Sequence, residues 1–235
     1  MFFSLSLSQS SLESAMQMSE TGKAISASIA FVSKVGDECE ALANLIKREV
    51  SDLFCKSPLD TLYKPGEWSS SYKTDTSGWI FRAAAWSLPL TPKGKRKVTA
   101  HLAFQMSFLC DDAEGGFSPE PLLHINLWDD PTDVKYENYM GFEMRDISPR
   151  SMNRLQDGTA RLFRWETKNG AADRWTYSLR LAEINSLDDV RSQICALVKA
   201  LLADVDKGEA SLDDASSVVC WSALEDMPDY YRVVR

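Results

Sequence analysis

Residues 98–110 carry apolar side chains at every second position: Val98, Ala100, Leu102, Phe104, Met106, Phe108 and Cys110. Thr99, His101, Gln105 and Ser107 fall between them. A period of two sustained over this length predicts a strand with one buried face. Residues 79–88 read as a second strand, followed by a turn at Pro89, Pro92 and Gly94. Residues 122–128 give a third, with Leu123, Ile125 and Leu127 on one face, and residues 68–73 add another. Asn169-Gly170 marks a hairpin between residues 161–166 and 174–181. Symmetric pairing there places Trp165 opposite Trp175, Phe163 opposite Tyr177 and Glu166 opposite Arg174. Residues 129–158 show no clear period and read as a long excursion with a short helix near Ser151.

The period changes at the two ends of the chain. Ile25, Ile29, Val32, Val35, Cys39, Leu42, Ile46, Val50 and Leu53 follow one another in steps of three or four, the stripe of a long helix. Such a helix spans about 45 Å, unless it bends at Gly36, and Ser57-Pro58 ends it. Five strands cover only about 24 Å, so Ile25, Ile29 and Val32 are expected to overhang and to meet a second copy or another protein. Near the C-terminus, Ser186 with Asp189 makes a capping-box-like start, and Val190, Ile194, Leu197, Leu201 and Val205 form a stripe. Lys207-Gly208 reads as the stop, and Ser211-Leu212-Asp213-Asp214 as a second helix start.

These elements predict an α+β fold: a mainly antiparallel sheet of about five strands packed against a long N-terminal helix and a C-terminal helix. The expected organisation is a peripheral Ser-rich segment (1–23), one α+β domain (24–208) and an acidic accessory segment (209–235).

Composition narrows the functional classes. The net charge is −8 and the pI about 4.9, which opposes nucleic acid and anionic lipid and suits a basic protein partner. Five cysteines without a C-x-x-C pair give little basis for a structural metal and read as free thiols in a reducing compartment. The first residues lack a basic leader, and no stretch approaches the ~20 apolar residues needed to cross a bilayer. The expectation is a cytoplasmic protein.

Candidate chemistry is sparse. A hairpin centred near residue 115 would set His101 opposite Asp130, a base with an orienting acid. His124 is expected to be exposed or half-exposed on its strand. Asp157 with Glu166-Thr167-Lys168 is similar to the D…E-x-K signature of restriction-like nucleases, although here both parts fall on one strand or its approach. Asp111, Asp112 and Glu114, and Asp129, Asp130 and Asp133, read as two separate solvated turns rather than one metal site, and no metal or cofactor is expected. No nucleophile elbow or phosphate-cradling glycine motif occurs. Lys93, Lys95, Arg96 and Lys97 form the compact basic run. The reading is a non-catalytic protein-binding or regulatory protein, an adaptor or neutraliser of a basic partner. Ile25, Ile29, Val32, Lys95 and Arg96 are its contact residues. The alternative is a nuclease-like hydrolase using His101 with Asp130, or Asp157 with Glu166 and Lys168.

Overall fold

The computed structural model describes residues 9–56, 58–108, 118, 120–135, 159–165, 174–223 and 231–234, with side chains of the first helix described from Glu20. Cys110, the acids at 111–114, Ser151, Asp157, Glu166, Lys168 and the Asn169-Gly170 turn lie outside them. The chain divides into two compact units, Met1–Leu45 and Ile46–Arg235. The first contains most of helix α1 (Gln9–Lys56), which is continuous through Gly36. It is therefore longer than its apolar stripe indicates and is not broken there.

The second unit is built on a seven-stranded antiparallel sheet, two strands more than the sequence pattern implies. Short α2 (Leu59–Leu62) leads into β1 (Tyr63–Pro65), followed by β2 (Ser69–Thr74), β3 (Phe81–Pro92), β4 (Ala100–Ser107) and β5 (Leu122–Trp128). After β6 (Thr159–Ala160) come β7 (Leu162–Trp165) and β8 (Arg174–Arg180). The order is β1-β3-β4-β5-β8-β7, with β2 also on β3. β6 belongs to a second sheet with β9 (Cys220–Ala223) and β10 (Tyr231–Val234). The tail thus supplies strands, and Ser211 and Leu212 end a helix rather than begin one.

Two predicted strand boundaries move. β3 starts at Phe81, because Asp75 accepts bonds from the backbone of Trp79 and Ile80 and holds them in a turn. It also runs through Pro89 to Pro92, so the connection to β4 spans residues 93–99 and opens with a turn at Lys93 and Gly94, where Gly94 has φ +78°. The β7–β8 register pairs Trp165 with Arg174 and Phe163 with Thr176, one residue from the expected Trp165–Trp175 pairing. The register of these strands is centred between positions 169 and 170 rather than on 170. Arg174 bonds the Asp129 carboxylate, and the expected partner Glu166 lies outside the described residues.

One sheet face is apolar. Leu102, Phe104 and Met106 are buried there as the alternation predicts, beside Trp86, Leu88, Ile125 and Tyr177. Trp86 stacks on Phe104 with ring centroids 4.9 Å apart, and Trp68 meets it edge-on at 5.5 Å. The end of α1 covers this face with Ile46 and Val50, next to Ile194 and Val198 of the C-terminal helix. Glu49 fixes the pair: Arg191 donates to its carboxylate at 2.8 Å.

The C-terminal helix begins as read. Ser186 accepts from the Asp189 amide at 3.1 Å and donates to its carboxylate at 2.7 Å. From α3 (Leu187–Asp189) the chain passes through a π-helical Val190–Cys195 into α4 (Ala196–Ala203). The stop comes earlier than Gly208. Asp204 leaves the helix and caps α5 (Val205–Leu212), accepting from the Lys207 amide. Gly208 lies inside α5, where a Cβ would sit 2.7 Å from the Leu201 backbone. It is there for a close helix–helix approach. Gly208→Ala is expected to cost about 1–3 kcal/mol by overpacking, read as a lowered melting temperature. An unchanged or raised melting point would mean that α4 and α5 separate readily.

Candidate functional site

The opposite sheet face is polar and also buried, which the alternating pattern does not reveal. Ser71, Ser87, Gln105, Ser107, His124, Asn126, Thr176 and Ser178 are each no more than 8% exposed. Cross-strand register brings Ala85, Gln105, His124 and Ser178 into one row. Residues after β5 fold over this face. The Thr132 amide donates to Ser87 Oγ at 2.9 Å, Ser71 donates to Asp133 at 2.7 Å, and Val134 packs with Ala83 and Ala85. His124 is therefore 1% exposed rather than exposed or half-exposed, with Nδ1 2.8 Å from Ser178 Oγ. Burial pushes its imidazole down to about 3, so the ring is neutral and structural.

At one end of this face lies His101. It pairs across the ladder with Trp128, and its Nδ1 lies 3.0 Å from the Asp129 carbonyl oxygen, not a carboxylate. A carbonyl only accepts, so the neutral ring carries its proton on Nδ1. Burial holds the ring below the ordinary histidine range, opposed by that carbonyl and by the charges of Asp130 and Asp129. Asp130 is exposed and acts through its charge alone. The Asp129 carboxylate binds the buried Arg174, which also donates to the Thr99 carbonyl at 2.6 Å. The expected His101–Asp130 dyad is thus replaced by a clamp joining β8 to the ends of β4 and β5. Among the described residues, no cluster of three or more histidine, cysteine or acidic side chains has the geometry to hold a metal.

Beyond His101 the same face opens into a groove of about 450 Å³ at the β3–β4 turn. Lys64 of β1 faces Thr91 of β3. The Gly66 amide donates to the Pro89 carbonyl at 2.9 Å, and a Cβ at Gly66 would meet Pro89 at 2.7 Å, so β1 closes tightly on β3. The Lys93 amide donates to the Leu62 carbonyl, and the Lys95 amide to that of Pro92, fixing the turn. Lys64, Lys95 and Arg96 line the groove together with Pro65, Pro89 and Val98. The sequence indicates Lys95 and Arg96; Lys64 escapes it, although Lys64-Pro65-Gly66 is a turn signal that ends β1 beside them.

Two other surfaces are exposed and apolar. On α1, Ile25, Ile29 and Val32 are 57%, 60% and 46% exposed. At the β2–β3 turn, Trp79 is 82% exposed, with Ile80 and Phe81 beside it. Reading Trp79 as the start of a strand hides that tip, although Asp75, Ser77 and Gly78 signal the turn.

No family model matches this chain, and no curated protein or solved structure matches it either.

Proposed function

We propose that this chain is a non-catalytic, cytoplasmic binding protein of regulatory type that self-associates through α1. The exposed row Ile25, Ile29 and Val32 carries the reading, since contiguous apolar side chains on a surface helix mark a contact surface. A second copy is the occupant the sequence favours. Ile25, Val32 and Cys39 recur at intervals of seven, with Val35 and Leu42 three residues after the second and third of them, which is the spacing a partner helix interlocks with. Lys34 and Glu38 flank the row as an i,i+4 pair at 3.6 Å. Most helical stability in proteins comes from packing of an apolar face, so an α1 whose exposed row is paired is more stable than a single one.

The net charge of −8 makes basic proteins the best-matched heterologous partners. Cys39, Cys55, Cys195 and Cys220 are free thiols, in keeping with a reducing compartment. Among the described residues, no helix is long and apolar enough to cross a membrane.

Sedimentation of the wild type against an Ile29→Asp, Val32→Asp double variant tests the interface. The wild type is expected to run as a dimer at high micromolar concentration and the variant as a monomer. A wild type that stays monomeric there sinks the self-association.

A further inference from the structure

We infer that the groove bounded by Lys64, Lys95 and Arg96 is a docking site for a short acidic peptide segment of a partner protein. The inference stands apart from self-association, because the groove lies wholly within the second unit.

Charge is the first argument. Arg161, Arg164, Arg174, Arg180 and Arg191 each bond a carboxylate. Among the described residues, no carboxylate bonds Lys64, Lys95 or Arg96, although the chain carries 34 acids against 26 basic residues. Three cations that bond no carboxylate among the described residues, on one concavity of an acidic protein, form a local field of the opposite sign. Arg96 supplies a fork suited to a carboxylate, and the two lysines supply point charges.

The remaining features select among anions. A groove of about 450 Å³ lined in part by Pro65, Pro89 and Val98 is too large and too apolar for an inorganic ion. It suits a chain with methylene groups between its charges. Long polyanions such as nucleic acid meet repulsion from the rest of a protein with net charge −8, whereas a short segment feels mainly the groove.

The sheet edge offers little alternative. In β1, Lys64 pairs with Thr91, so Tyr63 and Pro65 direct their backbone groups outward. The Tyr63 amide is already bonded to the Leu59 carbonyl, and Pro65 has no amide hydrogen. Nothing donates to an added strand, so recognition goes through the side chains.

The test is fluorescence anisotropy of a short fluorescein-labelled peptide rich in Glu and Asp, against the full chain. Lys95→Glu/Arg96→Glu is expected to weaken binding at least tenfold, and Lys64→Glu several-fold. Lys199→Glu, the same charge change as Lys64→Glu at an exposed site on α4, should leave affinity within about twofold. All these side chains are exposed, and unchanged melting curves check that the variants fold. Binding that weakens as salt is raised toward about 0.15 M supports the site. The proposal is overturned if the peptide fails to bind, if Lys95→Glu/Arg96→Glu binds like the wild type, or if Lys199→Glu matches Lys64→Glu. It is equally overturned if inorganic phosphate or single-stranded RNA binds the groove more tightly than the peptide.

Discussion

Phe104→Ala is expected to destabilise the protein by about 3–5 kcal/mol, measured as a lower urea midpoint with an unchanged slope. The side chain is 2% exposed, stacked on Trp86 and met edge-on by Trp68. It sits in the crevice lined by Ile46 and Val50 on one side and Ile194 and Val198 on the other. Truncation removes contacts to two helices and two indoles at once, and rigid neighbours on every side restrict collapse into the hole. Phe81→Ala supplies the contrast. That ring begins β3 and is 52% exposed, touching Tyr72 at 5.8 Å, so its loss should stay within about 1 kcal/mol. Equal losses at the two positions would mean that the apolar face is not the core.

The second large effect is a pH dependence set by His124. An unfolded histidine titrates near 6.5, whereas the buried ring titrates at about 3. Below 6.5 the unfolded chain therefore binds a proton that the folded chain refuses. Stability is full above that point and falls as pH drops toward 3. At pH 5 the loss amounts to about 2 kcal/mol from this group alone. His101, also shifted downward by burial, adds in the same direction. Asp133 and Asp189 are held below the usual carboxylate range, so their own losses begin at lower pH and leave the window from 7 to 5 largely clear. Denaturation of wild type and His124→Gln at pH 7 and pH 5 measures the difference. The variant should lose about 2 kcal/mol less between the two. Parallel losses would show that protonated His124 is accommodated.

Legibility in the sequence followed how local the signal was. The alternation at residues 98–110 located β4 and the inward direction of Leu102, Phe104 and Met106, because period and burial coincide on the apolar face. The same alternation suggested that His101, Gln105 and Ser107 faced solvent. Gln105 and Ser107 are buried on the face over which residues 132–134 fold, bonding Ser87 and Ser71 and packing on Ala83 and Ala85. No local period encodes a cover supplied from elsewhere. Pairing register was similarly fragile. A two-residue offset put Trp128 rather than Asp130 opposite His101, and with it the candidate dyad dissolved. Caps fared better where their partners are three residues apart, as at Ser186 and Asp189. Gly208 was misread because a glycine that stops a helix and one that admits a neighbouring helix look alike in sequence. Of the groove, Lys95 and Arg96 were visible as a charge run, whereas Lys64 joined them only through the pairing of β1 with β3.

The finish of strand β1 bears on how this molecule behaves when crowded. A sheet margin with free amide hydrogens is a template on which further chains lay down strands, growing without limit. At β1 the outward-facing Tyr63 amide is committed to Leu59, and the next outward-facing residue, Pro65, has no amide hydrogen, so that margin offers no donor for such growth. Encounters at this side of the domain are then governed by charge and shape, which are reversible and stop at a fixed stoichiometry.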